Sequence, residues 1–343
     1  MTRRSRHGKR PRHGQYPRMR AVRLGYKLSS EERGPRELVR LAAMAEEHGF
    51  SFALISDHFH PWTDRQGQSP FVWSVIGGIA QATRRLELGT AVTCPTVRIH
   101  PALVAQAAAT CALLMDGRFF LGLGTGENLN EHILGQGWPE TEVRQERLLE
   151  AVQVIRRLWT GDNVSHQGRH FTVENARLYS RPDTPPRLLL AVGGPRSADL
   201  AGRVADGMIG TEPAPESINR FRRAGGAGKP RYAELTVCWA RSESAARRTA
   251  RDFWPTAAME SSLSWELPLP AHFEAVAELV TEDAVAESVV CGPDPRRYLA
   301  GIRKYVEAGY NHVCLHQVGP DQAGFMRFYQ REILPRVRSV LTG

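Results

Sequence analysis

The stretch FALISDHFHPW, residues 52–62, shows the pattern that decides the fold. Its first part, FALIS (52–56), is short and apolar, which predicts a β-strand buried on both faces. A polar segment with two histidines follows at once, and a helical pattern begins near residue 71. This order of buried strand, polar loop and helix recurs from about residue 20 to the end of the chain, which is typical of parallel β/α units.

The repeat predicts a (β/α)8 barrel. Strands are predicted at 21–28, 52–56, 86–92, 118–124, 187–192, 207–210, 233–240, 288–292 and 312–317, and helices at 35–49, 71–83, 101–114, 143–159, 195–205, 215–223, 243–254, 295–309 and 321–336. About eight units favour a closed barrel over an open doubly wound sheet. We expect one barrel domain over residues 20–343, with a hairpin at 162–180 and an irregular insertion at about 255–281.

The positive charge of the chain is concentrated at its start. The formal net charge is +9, and residues 1–20 carry eight Lys or Arg and no acid. A basic segment without apolar periodicity cannot bury a core, so we expect residues 1–19 to form a disordered tail. Nucleic-acid contact by this tail is an alternative, and we prefer the plainer interpretation of an incidental extension.

Targeting and redox features are few. No apolar run approaches the roughly 20 residues that a membrane-spanning helix needs, and no export signal follows the N-terminal arginines. The five cysteines are scattered without a C-x-x-C pair, which is typical of reduced thiols. We therefore expect a cytoplasmic protein without membrane contact.

The segments after the predicted strands carry the candidate chemistry. In a barrel, functional residues gather in loops at the carboxyl ends of the strands. Here those loops are polar, glycine-rich or titratable, at residues 56–62, 90–95, 122–130, 193–195, 211–212 and 316–317. This regularity predicts an enzyme with its active site at the barrel mouth.

Two of these loops have the character of anion-binding turns. GLGTGEN (122–128) and GGP (193–195) combine glycines with the start of a helix, where free backbone N–H groups suit a phosphate. The first is neither a Walker loop, since no Lys-Ser/Thr follows, nor a dinucleotide fingerprint, since Leu129 stands where the last glycine would be. A tight turn without a ligand is the alternative for each.

His58 and His60 leave three interpretations open. Residues two apart in an extended segment point the same way, so an H-x-H after a barrel strand can begin a metal site. Such a site needs further ligands, and the chain offers His316 but no strong His or Asp after strands five and six. The other interpretations are one catalytic acid/base with a bystander and two loop histidines without a role.

Several separated motifs resemble the luciferase-like flavin and deazaflavin superfamily. They are ISDHFHPW (55–62), GTAVTCPT (89–96), RFFLGLGTGENLNE (118–131), AVGGP (191–195), LWTGD (158–162), AGRVADG (201–207) and GYNHVCLH (309–316). The resemblance covers the chain from about Arg20 and is closest to the coenzyme F420-dependent glucose-6-phosphate dehydrogenase subfamily. It implies a (β/α)8 barrel, a homodimer and the 8-hydroxy-5-deazaflavin coenzyme F420.

The resemblance also implies roles for individual residues. His58 would be the base that takes the hydroxyl proton of an alcohol as its hydride goes to C5 of the deazaflavin, Trp62 would help to hold the reacting atoms, and Glu127 would donate a proton at the N1 side. Contacts to the cofactor are implied for Asp57, Ala91 and Val92 (a non-proline cis peptide), Thr125, Gly126, Asn130, Ala191, Gly193 and Gly194. The chemistry agrees, because a base with a pKa near 7 suits this proton transfer. His60 has no role in the family.

The sequence departs from the subfamily where the sugar phosphate would bind. The glucose-phosphate enzymes use two lysines and an arginine, but here one position is Ala214, another is acidic or polar near Glu287, and residues 255–281 contain no Lys or Arg. A dianionic phosphate needs cationic partners, so we do not expect glucose 6-phosphate as the substrate. We expect a pocket formed by Thr211, Trp254 and Trp265 for a more apolar one.

The sequence therefore predicts an F420-dependent oxidoreductase that moves a hydride between deazaflavin C5 and an alcohol/carbonyl or C=C substrate, with His58 as acid/base. An FMN-dependent monooxygenase of the same superfamily is the first alternative. A metal-dependent hydrolase using His58 and His60 is the second. The expected partners are a small molecule and a second copy of the chain.

Overall fold

The computed structural model describes residues 22–340. The basic tail expected at residues 1–19 lies outside this range. No helix within the described range is long and apolar enough to cross a membrane.

Eight parallel strands close into a barrel, which confirms the predicted fold. In order around the ring they are β1 (Arg23–Leu28), β2 (Phe52–Ile55), β3 (Glu87–Thr90), β4 (Phe119–Leu123), β7 (Arg187–Ala191), β8 (Gly207–Gly210), β9 (Arg231–Cys238) and β11 (His312–Gln317). The ring is complete because β8 pairs with β9, β9 with β11, and β11 with β1. The expected hairpin is present as β5 (Val164–Gln167) and β6 (Thr172–Ala176), which pair antiparallel.

Helices connect the strands and cover the outside of the barrel. They are α1 (Pro35–Glu47), α2 (Val72–Ala82), α3 (Pro101–Leu114), α4 (Asn128–Glu131), α5 (Thr141–Trp159), α6 (Pro195–Val204), α7 (Pro215–Phe221), α8 (Glu243–Phe253), α9 (Ser261–Glu266), α10 (Pro270–Ala277), α11 (Glu282–Ser288), α12 (Pro295–Ala308), α13 (Gln322–Phe328) and α14 (Leu334–Val340). Many begin with proline, whose fixed φ and missing N–H suit the first helical position.

The largest differences between the expected and the observed elements lie in two places. The segment 255–281 is not irregular: it contains a 3-10 turn at Pro255–Ala258 and the helices α9 and α10. Pro255 and Pro270 start helical turns rather than interrupting structure, which is why a breaker-rich composition misled. The strand expected at 288–292 shrinks to β10 (Val290–Cys291), which pairs with Val237 and Cys238 of β9, beyond the part of β9 that pairs with β8.

The barrel interior is packed with aromatic and aliphatic side chains. The cluster inside the ring consists of Phe52, Leu54, Phe120, Leu189, Ile209, Tyr232 and Cys314. A larger apolar layer lies between the strands and the surrounding helices. Glycines on neighbouring strands leave the space for the rings: a Cβ at Gly25 would lie 2.3 Å from Phe52, and one at Gly89 would lie 1.9 Å from Phe120. This filled interior leaves the open space of the barrel at its mouth.

Gly89→Ala is expected to destabilise the fold by about 1–3 kcal/mol, because the added methyl group overlaps the Phe120 ring and core overpacking costs that much. Chemical unfolding followed by circular dichroism checks it. Gly77→Ala in α2 is the matched control, since an added Cβ there meets no atom within 4 Å, and helix propensity should stabilise it by up to about 1 kcal/mol. Equal stability of the two variants would contradict the close packing of the Phe120 ring against Gly89 of β3.

Candidate active site

A cavity of about 1340 Å³ opens at the carboxyl ends of the barrel strands. The residues to which the sequence analysis gave a catalytic, cofactor or substrate-pocket role all line it: His58, Trp62, Glu127, Asp57, Ala91, Val92, Thr125, Gly126, Asn130, Ala191, Gly193, Gly194, Thr211, Trp254 and Trp265. Most of them follow the carboxyl end of a barrel strand, and the others lie in or beside the connecting helices. The barrel therefore brings together residues that are far apart in sequence. Their individual roles remain predictions.

The His58 ring is held so that one nitrogen faces two carboxylates. Its Nδ1 lies 3.3 Å from the carbonyl oxygen of His60; a carbonyl can only accept, so Nδ1 carries the hydrogen. Its Nε2 lies 3.3 Å from Glu31 Oε1 and 3.4 Å from Glu127 Oε2. The Trp62 ring meets the imidazole nearly edge-on, with 5.2 Å between ring centroids. His58 therefore presents Nε2 as the nitrogen that can gain or lose a proton.

The two carboxylates beside His58 differ in exposure and in charge. The Glu31 side chain is 3% exposed, whereas the Glu127 side chain is 27% exposed. Burial alone would raise the pKa of Glu31, but the charges of His58 and Lys27 outweigh it and leave the pKa lowered. Burial raises the pKa of Glu127, and the charge of Glu31 adds to the rise against the opposing charge of His58. Glu31 is the fixed anion, and Glu127 is the partner that can carry a proton.

Glu31 is a site residue that the sequence analysis missed. It lies in the loop after β1, where it accepts hydrogen bonds from the hydroxyl groups of Ser56 at 2.5 Å and Ser29 at 3.0 Å. These bonds fix its carboxylate opposite the imidazole. An acid shortly after the first barrel strand was the signal, since that strand end also opens at the mouth.

Asn130 ties the histidine loop to the glycine-rich loop. Its Oδ1 accepts from the backbone N–H groups of Phe59 at 2.8 Å and His60 at 3.2 Å, and its Nδ2 donates to Glu127 Oε2 at 3.1 Å. Its side-chain oxygen and nitrogen are thus both used within the protein. Asn130 therefore fixes the distance between His58 and Glu127, in addition to the cofactor contact implied by resemblance.

His60 does not share the site of His58. Its Nδ1 lies 2.8 Å from the carbonyl oxygen of Leu129, and its ring stacks on His132 with centroids 5.6 Å apart. It is absent from the cavity wall. Within residues 22–340, no group of three or more His, Cys, Asp or Glu side chains is arranged to hold a metal ion. The contacts with Leu129 and His132 make His60 a structural residue of the loop.

The Asp57 carboxylate is held by the protein itself. Thr93 Oγ1 donates to Asp57 Oδ2 at 2.7 Å, and Arg98 donates to Asp57 Oδ1 at 3.0 Å. Arg98 also pairs with buried Glu131. Asp57 thus joins the loops after β2 and β3, and any contact of its carboxylate with a cofactor would use the remaining lone pairs.

Three post-strand segments form a close-packed cradle on one side of the cavity. The Ala91–Val92 peptide bond is cis, as the resemblance implies. A Cβ at Gly124 would lie 2.5 Å from Val92 and 3.7 Å from Ala191, and one at Gly193 would lie 3.2 Å from Trp265. A Cβ at position 124 would overlap Val92, and one at position 193 would require a small shift of the Trp265 ring. The cradle can therefore bring backbone groups against a flat ligand.

Helix α9 of the insertion covers part of the mouth. Trp265 packs over Gly193, the Glu266 carbonyl accepts from Asn128 Nδ2 at 2.9 Å, and the Glu266 carboxylate lies 3.3 Å from Arg144. Trp254, at the end of α8, meets the buried His316 ring at 4.4 Å and 90°. The rings of Trp254 and Trp265 thus give this part of the wall an apolar surface.

A chain of buried charges runs from the cavity wall into the barrel. Lys27 Nζ donates to Glu234 Oε2 at 2.8 Å and to the Ala91 carbonyl at 3.2 Å. Glu234 Oε1 lies 3.2 Å from His316 Nδ1, and His316 Nε2 lies 3.6 Å from Glu32 Oε2. Lys27 and Glu234 line the cavity and were also missed from the sequence. A charged residue within an apolar strand was the available signal.

His316 is expected to make the stability of the fold depend on pH. Burial would lower its pKa, but the nearby carboxylates of Glu234 and Glu32 raise it to about 9, against about 6.5 in an unfolded chain. The stabilisation is fully present below about pH 6.5 and is lost as the pH rises towards 9. We expect the free energy of unfolding to fall by on the order of 2–3 kcal/mol over this range, as measured by chemical unfolding at a series of pH values.

His316→Gln is the control for that prediction. It removes the group that titrates in this range, so its unfolding free energy should change less between pH 6.5 and 9, whatever its absolute stability. Parallel curves for wild type and variant would contradict the assignment.

Comparison with known proteins identifies the family. The family model described as luciferase-like monooxygenase matches residues 19–312. F420-dependent glucose-6-phosphate dehydrogenase 2 of Rhodococcus jostii (strain RHA1) is 36% identical over 333 residues, covering 93% of this chain and 98% of that protein. F420-dependent glucose-6-phosphate dehydrogenase of Mycolicibacterium gilvum (strain PYR-GCK) is 37% identical over 336 residues, covering 94% of this chain and 100% of that protein.

A solved structure agrees with these relatives. An F420-dependent secondary alcohol dehydrogenase in complex with an F420–acetone adduct superimposes with a TM-score of 0.86 at 31% identity, covering 93% of this chain and 100% of that chain. The chain therefore belongs to the luciferase-like monooxygenase family, and its curated relatives place it among the F420-dependent oxidoreductases of that family.

Proposed function

We propose that this protein is an F420-dependent oxidoreductase in which His58 is the acid/base for hydride transfer between an alcohol/carbonyl or C=C substrate and the cofactor. F420, when bound, supplies C5 as the hydride donor or acceptor. The observation that carries the proposal is the His58 ring, whose Nδ1 is committed to a backbone carbonyl while its Nε2 lies on the cavity side between Glu31 and Glu127.

The cradle residues fit a flat tricyclic ligand. Val92, Gly124 and Ala191 lie against one another at the cavity wall, and the absence of a Cβ at position 124 keeps that surface flat. Thr125, Gly126, Gly193 and Gly194 would provide backbone contacts to the ring and its anionic tail, for which N–H groups near helix starts are suited. Asp57 and Asn130 would hold the loops around it.

The proton is handled by three side chains with different tasks. His58 Nε2 accepts the hydroxyl proton as an alcohol is oxidised, and the positive charge that results is stabilised by the ionised Glu31. Glu127 is the more exposed carboxyl and the one whose pKa is raised, so it can exchange a proton with His58, with solvent or with a ligand near it. In the reverse direction His58 returns the proton to the carbonyl oxygen.

The substrate we propose is an uncharged alcohol or carbonyl rather than a sugar phosphate. Lys304 lines the cavity, but so do Glu212 and Glu287, and position 214 is alanine. The other cations of the wall, Lys27, Arg144 and Arg196, already pair with Glu234, Glu266 and Glu142. A dianionic phosphate would therefore gain few free cationic partners, which is unfavourable. Thr211, Trp254 and Trp265 would form a mainly apolar binding surface, and the structural relative that binds an F420–acetone adduct acts, by its name, on secondary alcohols.

We also propose that the protein is a homodimer and that it is cytoplasmic. The dimer follows from the resemblance alone, and the compartment from the scattered cysteines, which are typical of reduced thiols. Light scattering coupled to size-exclusion chromatography tests the first, with a mass near twice 38.2 kDa expected.

Binding of F420 against FMN tests the cofactor assignment. We expect the purified protein to quench or shift the fluorescence of F420 with saturation and to leave FMN fluorescence unchanged. Gly124→Val is the matched variant, because its side chain would fill the cradle beside Val92 and should weaken F420 binding. Tight binding of FMN with no affinity for F420 would instead support the monooxygenase alternative.

A further inference from the structure

The least expected residue of the cavity wall is Lys27. It lies on β1, its side chain is 7% exposed, and its ammonium group is inside a barrel whose strands are otherwise mostly apolar. Burying an ammonium group is costly unless it is paired and hydrogen-bonded. Burial would lower the pKa of Lys27, but the charges of Glu234 and Glu31 raise it above its usual value. Lys27 is therefore a permanent cation at the base of the cavity.

We propose that Lys27 is a positioning residue of the active site: its ammonium group fixes the Ala91 carbonyl and places a positive charge beneath the Glu31–His58 pair. The inference rests on the proposed function for the meaning of that pair. It does not depend on which substrate is used.

The first part of the proposal follows from hydrogen bonds. The segment after β3 is held by backbone bonds on either side, from Ala91 N to the Ile55 carbonyl at 2.7 Å and from Thr93 N to the Gly122 carbonyl at 2.9 Å. Between them, the Ala91 carbonyl accepts from Lys27 Nζ at 3.2 Å. Lys27 thus connects β1 to the segment that carries Ala91 and Val92 in the cradle.

The second part follows from the balance of buried charges. Glu234 is shared by Lys27 and His316, and Glu32 is shared by His316 and Arg33. Because Glu234 divides its single negative charge between two cations, it does not fully cancel the charge of Lys27. The charge of Lys27 therefore also acts on the neighbouring Glu31.

The charge of Lys27 reaches both carboxylates beside His58. Burial would raise the pKa of Glu31, but the charges of His58 and Lys27 lower it. Burial also raises the pKa of Glu127, and the charge of Lys27 opposes that rise. The other groups around Lys27 are Glu234 on β9 and Cys314 on β11. A neutral side chain at position 27 would therefore leave Glu31 easier to protonate and less able to hold a charged His58.

Lys27→Met tests the proposal, with titration of the Glu31 carboxylate by carbon NMR as the readout in protein without cofactor. Glu31→Gln assigns the signal. We expect the Glu31 titration to move to higher pH and the turnover with F420 to fall on the acidic side of the pH–rate profile. Lys27→Arg should restore both, because it keeps the charge.

Lys229→Met is the matched control. Lys229 also donates to two carbonyls, those of Gly202 and Ala205, but it does not line the cavity. The Lys229→Met variant should leave the Glu31 titration and the acidic side of the pH–rate profile unchanged even if its melting temperature falls.

Glu234→Gln gives a test of opposite sign that does not depend on whether Lys27→Met folds. Removing the carboxylate shared by Lys27 and His316 leaves more positive charge near Glu31, so its titration should move to lower pH. Unchanged Glu31 titration in both variants, or the same shift in both, would overturn the proposal. A failure to bind F420 would instead refute the proposed function and leave these titrations as a separate result.

Discussion

His58→Ala is expected to lower kcat by on the order of 10²–10⁴-fold, the usual contribution of a positioned general acid/base, while F420 binding stays nearly unchanged. The reason is geometric: Nε2 of His58 lies between Glu31 and Glu127, and removing the ring leaves no other imidazole on the cavity wall among the described residues. Stopped-flow measurement of F420 reduction and fluorescence titration of F420 separate the two effects.

His60→Gln is the matched control for that variant. The glutamine amide can still donate to the Leu129 carbonyl that His60 contacts, and the side chain does not line the cavity. We expect turnover close to that of the wild type. Comparable losses in the two variants would show that the loop as a whole, rather than the His58 ring, is required.

Glu31→Gln is expected to have the second largest effect, a fall in kcat on the order of 100-fold. Glutamine preserves the size of the side chain and an oxygen for Ser56 and Ser29, but it lacks the negative charge that stabilises a protonated imidazole. Because Glu31 has a lowered pKa, its charge is present in the wild type throughout the neutral range. The loss in the variant should therefore appear across that range and not only at acidic pH.

Glu46→Gln provides the comparison for Glu31→Gln. Burial would raise the pKa of Glu46, but hydrogen bonds from the backbone N–H groups of Arg85, Leu86 and Arg84 lower it. Glu46 lies on α1, away from the cavity. It should lose stability and keep its turnover. Normal turnover of Glu31→Gln would contradict the assigned role of Glu31 in holding the charged His58.

The regular parts of the fold were accessible from the sequence because their signals are local. Helix α3 begins at Pro101 and ends at Leu114 as predicted, and β8 and β11 have the predicted bounds. Apolar strands followed by polar loops are sufficient to locate the barrel mouth. The same reasoning predicted that the loops of His58, Glu127 and Gly193 lie at the barrel mouth, and all three residues line the cavity there.

The missed features depend on long-range partners. Glu31 lies in a loop whose importance becomes visible only when Ser56 and His58 are brought beside it. A lysine and a glutamate 207 positions apart, Lys27 and Glu234, form a pair that sequence spacing cannot reveal. The division of roles between His58 and His60 is likewise decided by tertiary contacts, with Leu129 and His132 taking up one ring.

Transfer of deuterium to F420 tests whether His58 assists hydride transfer from an alcohol to the cofactor. A secondary alcohol deuterated at the carbinol carbon is mixed with protein and F420, and the visible absorbance of oxidised F420 is followed with mass analysis of the reduced cofactor. We expect loss of absorbance, one deuterium gained per reduced F420, no such reaction with glucose 6-phosphate, and a near-complete loss of rate in His58→Ala. Rapid reduction by glucose 6-phosphate, or an undiminished rate in His58→Ala, would contradict this expectation.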